Sequence, residues 1–239
     1  MAAAQLPPTS AFAHDDGTAP QQLAAAIALP RPQERRAAVV AALRTDRVLV
    51  PVVARLDELQ QGKAPDEIVG EKLAHTAMVT VALPDGRAGL PVFSSMATMA
   101  AWRADARPVP TQGRRAALAA AAEADGVLVL DPGGPGAVQV GRPAVRAVAL
   151  GQEWIPAVHN PAVTDAAVRA IAGLPQVQEV RIVAGEVTEI VVELTLTHRL
   201  AKARVAAVVQ ELSQKLSQDE GIAQWVDSLT IKLRAGRSS

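Results

Sequence analysis

The chain has no cysteine and no tyrosine, and it carries 2 phenylalanines and 3 tryptophans in 239 residues. Without cysteine there is no disulfide, no thiolate metal site and no cysteine nucleophile, and the composition suits a reducing cytoplasm. With aromatics at 2%, packing falls to Val, Leu, Ile and Ala. Side chains that small fill an interior only where helices and strands approach closely. Neither charge is in excess, with 24 basic residues against 24 acidic ones. A nucleic-acid partner needs a clustered positive face and is therefore not expected. Long apolar runs are missing too. The longest candidate, LAAAIAL at Leu23–Leu29, is far too short to span a bilayer. No basic stretch followed by a long apolar core opens the sequence, so the expectation is a soluble cytoplasmic protein without a membrane role.

What is present organises the chain into two small domains behind a tail. Residues 1–31 mix Ala, Pro, Thr and Asp without a sustained period and predict a disordered tail. Residues 32–157 form the first domain. Pro32 suits the first turn of a helix, and RVLVPVVA (Arg47–Ala54) reads as a strand whose Pro51 suggests an edge or a bulge. Asp57–Lys72 reads as a polar loop. MVTVAL, PDGR and AGLPVF make a hairpin around Asp85-Gly86, and Ser94 or Ser95 can cap a short helix through Trp102. RPVPTQG is extended, Arg114–Ala124 is helical, and Pro143–Leu150 makes another short helix. Residues 158–239 predict αββαβ. Thr164 would cap a helix whose Ala167, Val168, Ile171 and Leu174 share a face. Val177–Val183 and Val187–Thr197 form a hairpin, a long helix follows, and Ser228–Leu233 closes the sheet. The expected class is α+β, with two small domains that each pack helices on a mainly antiparallel or mixed sheet.

The stretch LVLDPGGPGAVQVG, Leu128–Gly141, has the look of a phosphate loop. A dinucleotide fingerprint would place its third glycine where Gln139 stands, and a P-loop would follow Gly141 with Lys and Ser or Thr rather than Arg142-Pro143. The residues after the glycines are β-like, so no helix N-terminus offers free amides to an anion. A strand, a reversal and a returning strand is the better reading. The histidines His14, His75, His159 and His198 show no metal spacing, and no G-x-S-x-G elbow occurs. Asp125 and Asp131 bracket one strand, but each sits in an ordinary turn pair. No catalytic residue, no cofactor-binding residue and no metal ligand is assigned. Tryptophan in so aromatic-poor a chain is either a core anchor or an exposed hot spot, and the candidate interaction surface is Phe93, Trp102 and Trp154.

These pieces occur in a telling order. A hairpin ends in Leu90-Pro91-Val92-Phe93-Ser94-Ser95, followed by Ala101-Trp102 and Arg107-Pro108-Val109-Pro110. After the Ala-rich helix come Val129-Leu130-Asp131-Pro132 with glycines, a Pro-led helix and Trp154-Ile155-Pro156. The ordered set resembles the SseB N-terminal domain family in its actinobacterial form, over about residues 34–157. The C-terminal αββαβ unit is similar in pattern to the SseB C-terminal domain. The family is named for enhanced serine sensitivity, a growth phenotype, and the resemblance implies no catalytic residues and no cofactor.

The resulting expectation is a non-enzymatic cytoplasmic protein that acts through a protein partner. The alternative is a small-molecule sensor or enzyme linked to amino-acid (serine) metabolism, with a pocket between the domains. Homo-oligomerisation through the C-terminal sheet is a further expectation, because the long β-branched strand IVVELTLT would pair if its edge were free.

Overall fold

The structure is a computed structural model, and it describes residues 12, 15–53, 79–197 and 200–234. These divide into two compact units. The first holds the described residues up to Val140 together with Val148–Gly151, and the second holds Gly141–Ala147 and the described residues from Gln152 onward.

The first unit begins with a correction. Within the expected tail, Gln21–Ile27 is a helix (α1) with Leu23 and Ala26 buried. Its N-cap, Pro20, offers no side-chain acceptor. Instead the Asp46 carboxylate, well beyond α1 in the chain, accepts the Leu23 amide at 3.0 Å. A cap supplied from so far away leaves no local mark in the sequence. The helix α2 (Pro32–Ala42) starts on Pro32 and buries Val39, Val40 and Ala42.

Strand β1 (Arg47–Val52) pairs antiparallel with β4 (Arg107–Gln112), and Leu49 also exchanges two backbone hydrogen bonds of 2.8 Å with Phe93. The Leu49 amide therefore points away from β4, and so does the nitrogen of Pro110 opposite it. Pro51 faces Pro108 two positions along, with the same parity. All three prolines thus sit where the ladder needs no donor, and the strand is regular without a bulge.

β2 (Val81–Ala82) and β3 (Ala88–Val92) form the expected hairpin. Leu83 donates to Arg87 at 2.8 Å and Gly86 to Leu83 at 3.0 Å, and Gly86 takes φ +85°. That is a three-residue loop closed by a left-handed glycine. β3 pairs parallel with β5 (Leu128–Leu130), which pairs antiparallel with β6 (Val138–Val140). Between β3 and β5 run α3 (Met96–Trp102), β4 and α4 (Gly113–Glu123). Gly113 is required by contact: a Cβ there would lie 2.1 Å from the Leu43 carbonyl oxygen. The glycine-rich stretch is indeed strand, turn and returning strand. A helix, α5 (Arg142–Leu150), follows, and the division between the units falls within it.

The second unit runs αββααβ: α6 (Pro161–Ile171), β7 (Val177–Ala184), β8 (Ile190–Leu196), α7 (Lys202–Gln218), α8 (Glu220–Trp225) and β9 (Leu229–Arg234). The sheet order is β7-β8-β9, antiparallel then parallel. Ile190, Val192 and Leu194 meet Val163, Ala166, Ala170, Leu212 and Leu216 in one core. Two expectations are corrected on α6. Its cap is Asn160, whose Oδ1 accepts the Ala162 amide at 3.0 Å, rather than Thr164. Val168, expected on the core face, is 53% exposed because the buried stripe runs through Val163, Ala166, Ala167 and Ala170. The extra helix α8 is capped by Asp219, which accepts from Gly221 and Ile222. A third correction concerns β8. It is the central strand, paired on both sides, so IVVELTLT has no free edge.

Candidate functional site

Four polar residues are buried among the described ones, and three of them, Arg47, Ser94 and Asp131, belong to one chain of contacts in the first unit. Arg47 begins β1, Ser94 follows β3, and Asp131 follows β5. Its partners make the arrangement legible. The Arg47 guanidinium donates through Nε and Nη2 to both oxygens of Asp15, to the Thr18 carbonyl, and through Nη1 to the Ser94 carbonyl at 2.7 Å. Ser94 in turn donates its amide to Asp131 Oδ1 at 2.9 Å and its hydroxyl to Oδ2 at 2.7 Å. The Arg47 guanidinium, helped by the Gly17 amide, holds the Asp15 carboxyl below its usual range despite the opposing effect of burial.

Asp125 and Asp131 are matched devices. Both take left-handed backbone angles, φ +46° and +47°. The Asp125 carboxylate accepts the Ala88 amide at 2.8 Å, just where β3 begins, and Asp131 accepts the Ser94 amide just beyond its end. The two acidic residues thus clamp the neighbouring strand at both ends and fix the parallel register. Aspartate adopts the left-handed backbone more readily than most residues, and here both carboxylates bond to the neighbouring strand 37 residues away. They do not face each other as an acid–base pair. Ser94 has its proton committed to Asp131, and both are buried. The one histidine among the described residues, His159, is counted with the second unit. His14, His75 and His198 lie outside the described residues, as does the expected loop Asp57–Lys72. Among the described residues no group of three His, Cys, Asp or Glu side chains could hold a metal ion. No helix there is long and apolar enough to cross a membrane.

Next to this polar chain lies a cleft of about 360 Å³, lined by Thr98, Ala101 and Trp102 of α3 and by the Asp131–Pro135 turn. α3 is fixed at its start by a capping box. Thr98 donates its amide to Ser95 Oγ at 3.2 Å, and Ser95 donates its own to Thr98 Oγ1 at 3.3 Å. The helix is also tied to the Asp15–Thr18 segment, since Met96 donates to the Gly17 carbonyl at 2.8 Å. Trp102 is half-buried and rests on Phe93, with ring centroids 5.2 Å apart and planes tilted 41°.

The candidate surface of Phe93, Trp102 and Trp154 is corrected in one member. Phe93 is fully buried with Leu49 and Met99, so it supports Trp102 from below and offers nothing to solvent. The bridge to Leu49 draws that position inward. Trp154 is half-buried and counted with the second unit, and its Nε1 is buried without a hydrogen-bond partner among the described residues. Reading the residues one at a time missed Arg47, Ser94 and Asp131 as a set. The signal was there: each is a polar residue flanking an apolar strand run, and polar residues in such places are paired or exposed.

The family model described as SseB protein N-terminal domain matches residues 21–147, more than half of the chain. The match includes α1 and both walls of the cleft. No curated protein and no solved structure matches.

Proposed function

We propose that this chain, which belongs to the SseB N-terminal domain family, works through contacts with another protein rather than by catalysis, with the cleft at Trp102 as the place of contact. One observation carries the reading. The Asp131 and Thr98 side chains at the cleft also hold a strand end and the helix start, and with them Trp102, Ala101, Pro132 and Pro135 line a recess. A half-buried tryptophan on a rigid aromatic support suits an inserted side chain from a partner, because it presents area without losing conformational freedom. The cytoplasm is the proposed compartment. The second unit is proposed as an SseB C-terminal-like domain, and any self-association through its sheet would use the outer edge of β7 or β9.

The test compares the full chain with Trp102→Ala, both immobilised and exposed to native lysate. Stoichiometric recovery of a defined partner by the native chain, lost with Trp102→Ala while the circular dichroism is unchanged, supports the reading. Recovery of nothing by either, together with a clear rise in melting temperature on adding an amino acid or a nucleotide, replaces it with the small-molecule sensor.

A further inference from the structure

Asp131 lines the cleft and is 5% exposed, yet among the described residues no ion pair involves it. The nearest guanidinium in the hydrogen-bond chain, Arg47, is already paired with Asp15. Asp15, Arg47 and Asp131 together therefore carry one negative charge in excess. A carboxylate accepts about four hydrogen bonds, and Asp131 accepts two, both from Ser94. The cleft thus combines a buried carboxyl group that has no paired cation among the described residues with an indole side chain, and a buried carboxylate favours a cationic partner.

We propose that the cleft receives an arginine side chain of a partner polypeptide, its guanidinium stacked against Trp102 and paired with Asp131. The proposal rests on the protein-contact reading and names the chemistry of the partner. Arginine suits the site better than lysine on two counts. Its planar guanidinium is weakly hydrated, so entering an apolar recess costs less, and it stacks on an aromatic face while still donating in its plane. Ala101, Pro132 and Pro135 match the aliphatic stem.

The experiment titrates the full chain against a short-peptide array with arginine fixed at the centre and the flanks varied, and against the same array with citrulline. Citrulline keeps the shape and removes the charge. Arginine-centred peptides are expected to bind, and their citrulline counterparts to bind about tenfold to a hundredfold more weakly. Asp131→Asn is expected to weaken arginine peptides by a similar factor and to erase the preference over citrulline. That variant keeps an acceptor for the Ser94 amide and a residue suited to positive φ, so it should fold. Trp102→Leu is expected to cost several-fold and serves as the independent variant. Equal binding of arginine and citrulline peptides, no binding across the array, or an unchanged preference in Asp131→Asn overturns the proposal. Free arginine binding as tightly as any peptide overturns it in favour of a small ligand. A lysate partner held equally by Asp131→Asn but lost with Trp102→Ala removes this inference and leaves the protein-contact reading standing.

Discussion

The two units place their polar groups in opposite ways. In the first, Arg47, Ser94 and Asp131 are buried where strands begin and end, and they bond to one another in sequence. In the second, Asn160 is the buried polar residue among those described, and the ion pairs Arg142–Asp227, Arg169–Asp219, Arg181–Glu179, Lys215–Glu211 and Arg234–Glu193 each keep their cation at least partly exposed, although the Asp227 side chain is itself 7% exposed. The second unit is held by an apolar core between helices and sheet, with strand register fixed by alternation. The first has short strands, one a parallel pairing joined through an excursion of α3, β4 and α4, and alternation over three residues cannot fix a register. Side-chain clamps do it instead. The energetic consequence is testable, because breaking a buried charged pair costs far more than breaking an exposed one.

The sharpest break is Arg47→Ala. It leaves the Asp15 carboxylate, the Thr18 carbonyl and the Ser94 carbonyl without their shared donor. The expected loss is about 3–5 kcal/mol. Hydrogen exchange resolved by segment should place it in β1, α3 and the Asp131–Pro135 turn, with β7–β9 unaffected. Equal loss of protection in both units would erase the contrast.

The comparison sharpens within the first unit when the two clamps are removed in turn. Asp131→Ala loses two hydrogen bonds at a buried position and puts alanine at φ +47°, so about 2–4 kcal/mol is expected. Asp125→Ala suffers the same backbone penalty but loses a single, exposed hydrogen bond, for about 1–2 kcal/mol. Urea unfolding of the pair reads the difference as the contribution of burial. Costs of equal size would mean that the left-handed backbone, and not the clamp, is what aspartate supplies.

Acid titration probes both units at once. The Arg47 guanidinium depresses the Asp15 carboxyl. Burial pushes the Asp219 carboxyl up, but Arg169 and the Ile222 and Gly221 amides outweigh it, and the net shift is downward. A folded-state value below the unfolded one means that the unfolded chain binds the proton more readily. Each group therefore contributes stability fully present above its unfolded value, near pH 4, and lost as the pH falls through the folded one. Asp15→Asn should flatten the acid limb for the first unit, and Asp219→Asn for the second. Unfolding followed by exchange between about pH 5 and pH 2 measures it. An acid limb unchanged in both variants would assign the effect elsewhere.

How much of this could be read from the residues depends on the range of the interactions. Elements driven by local pattern were legible: the hairpin at Asp85-Gly86, the apolar stripe of Val208, Leu212 and Leu216, and the return of the strand after the glycines. The family was legible from the order of its pieces, and its match reaches back to residue 21. What escaped depends on partners distant in the chain. α1 is capped by Asp46 and held by burial of Leu23, so its own residues look like a tail. The neighbours of β8 escaped because nothing in IVVELTLT reveals that β9, expected as the closing strand, pairs parallel with it after two helices. Phe93 looked available because the bridge to Leu49 joins residues 44 positions apart. The candidate site suffered most. Its acidic residue was visible in a turn pair, but the pairing that consumes Arg47 and leaves Asp131 without a paired cation among the described residues exists only in three dimensions.

The smallest expected effect closes the contrast from the other side. Arg234→Ala removes the guanidinium that reaches Glu193 at 3.2 Å across the outer face of the sheet. Arg234 is 48% exposed there, both side chains are hydrated when apart, and the gain from meeting is offset by the entropy of holding a long chain in place. A change below about 1 kcal/mol is expected, and it should shrink further as salt is raised. The β8–β9 ladder does not need the pair, because Ile190, Val192 and Leu194 are fully buried against the helices whatever Arg234 does. A loss as large as that of Arg47→Ala would show that the second unit, too, rests on charged clamps, and the distinction between the units would fall.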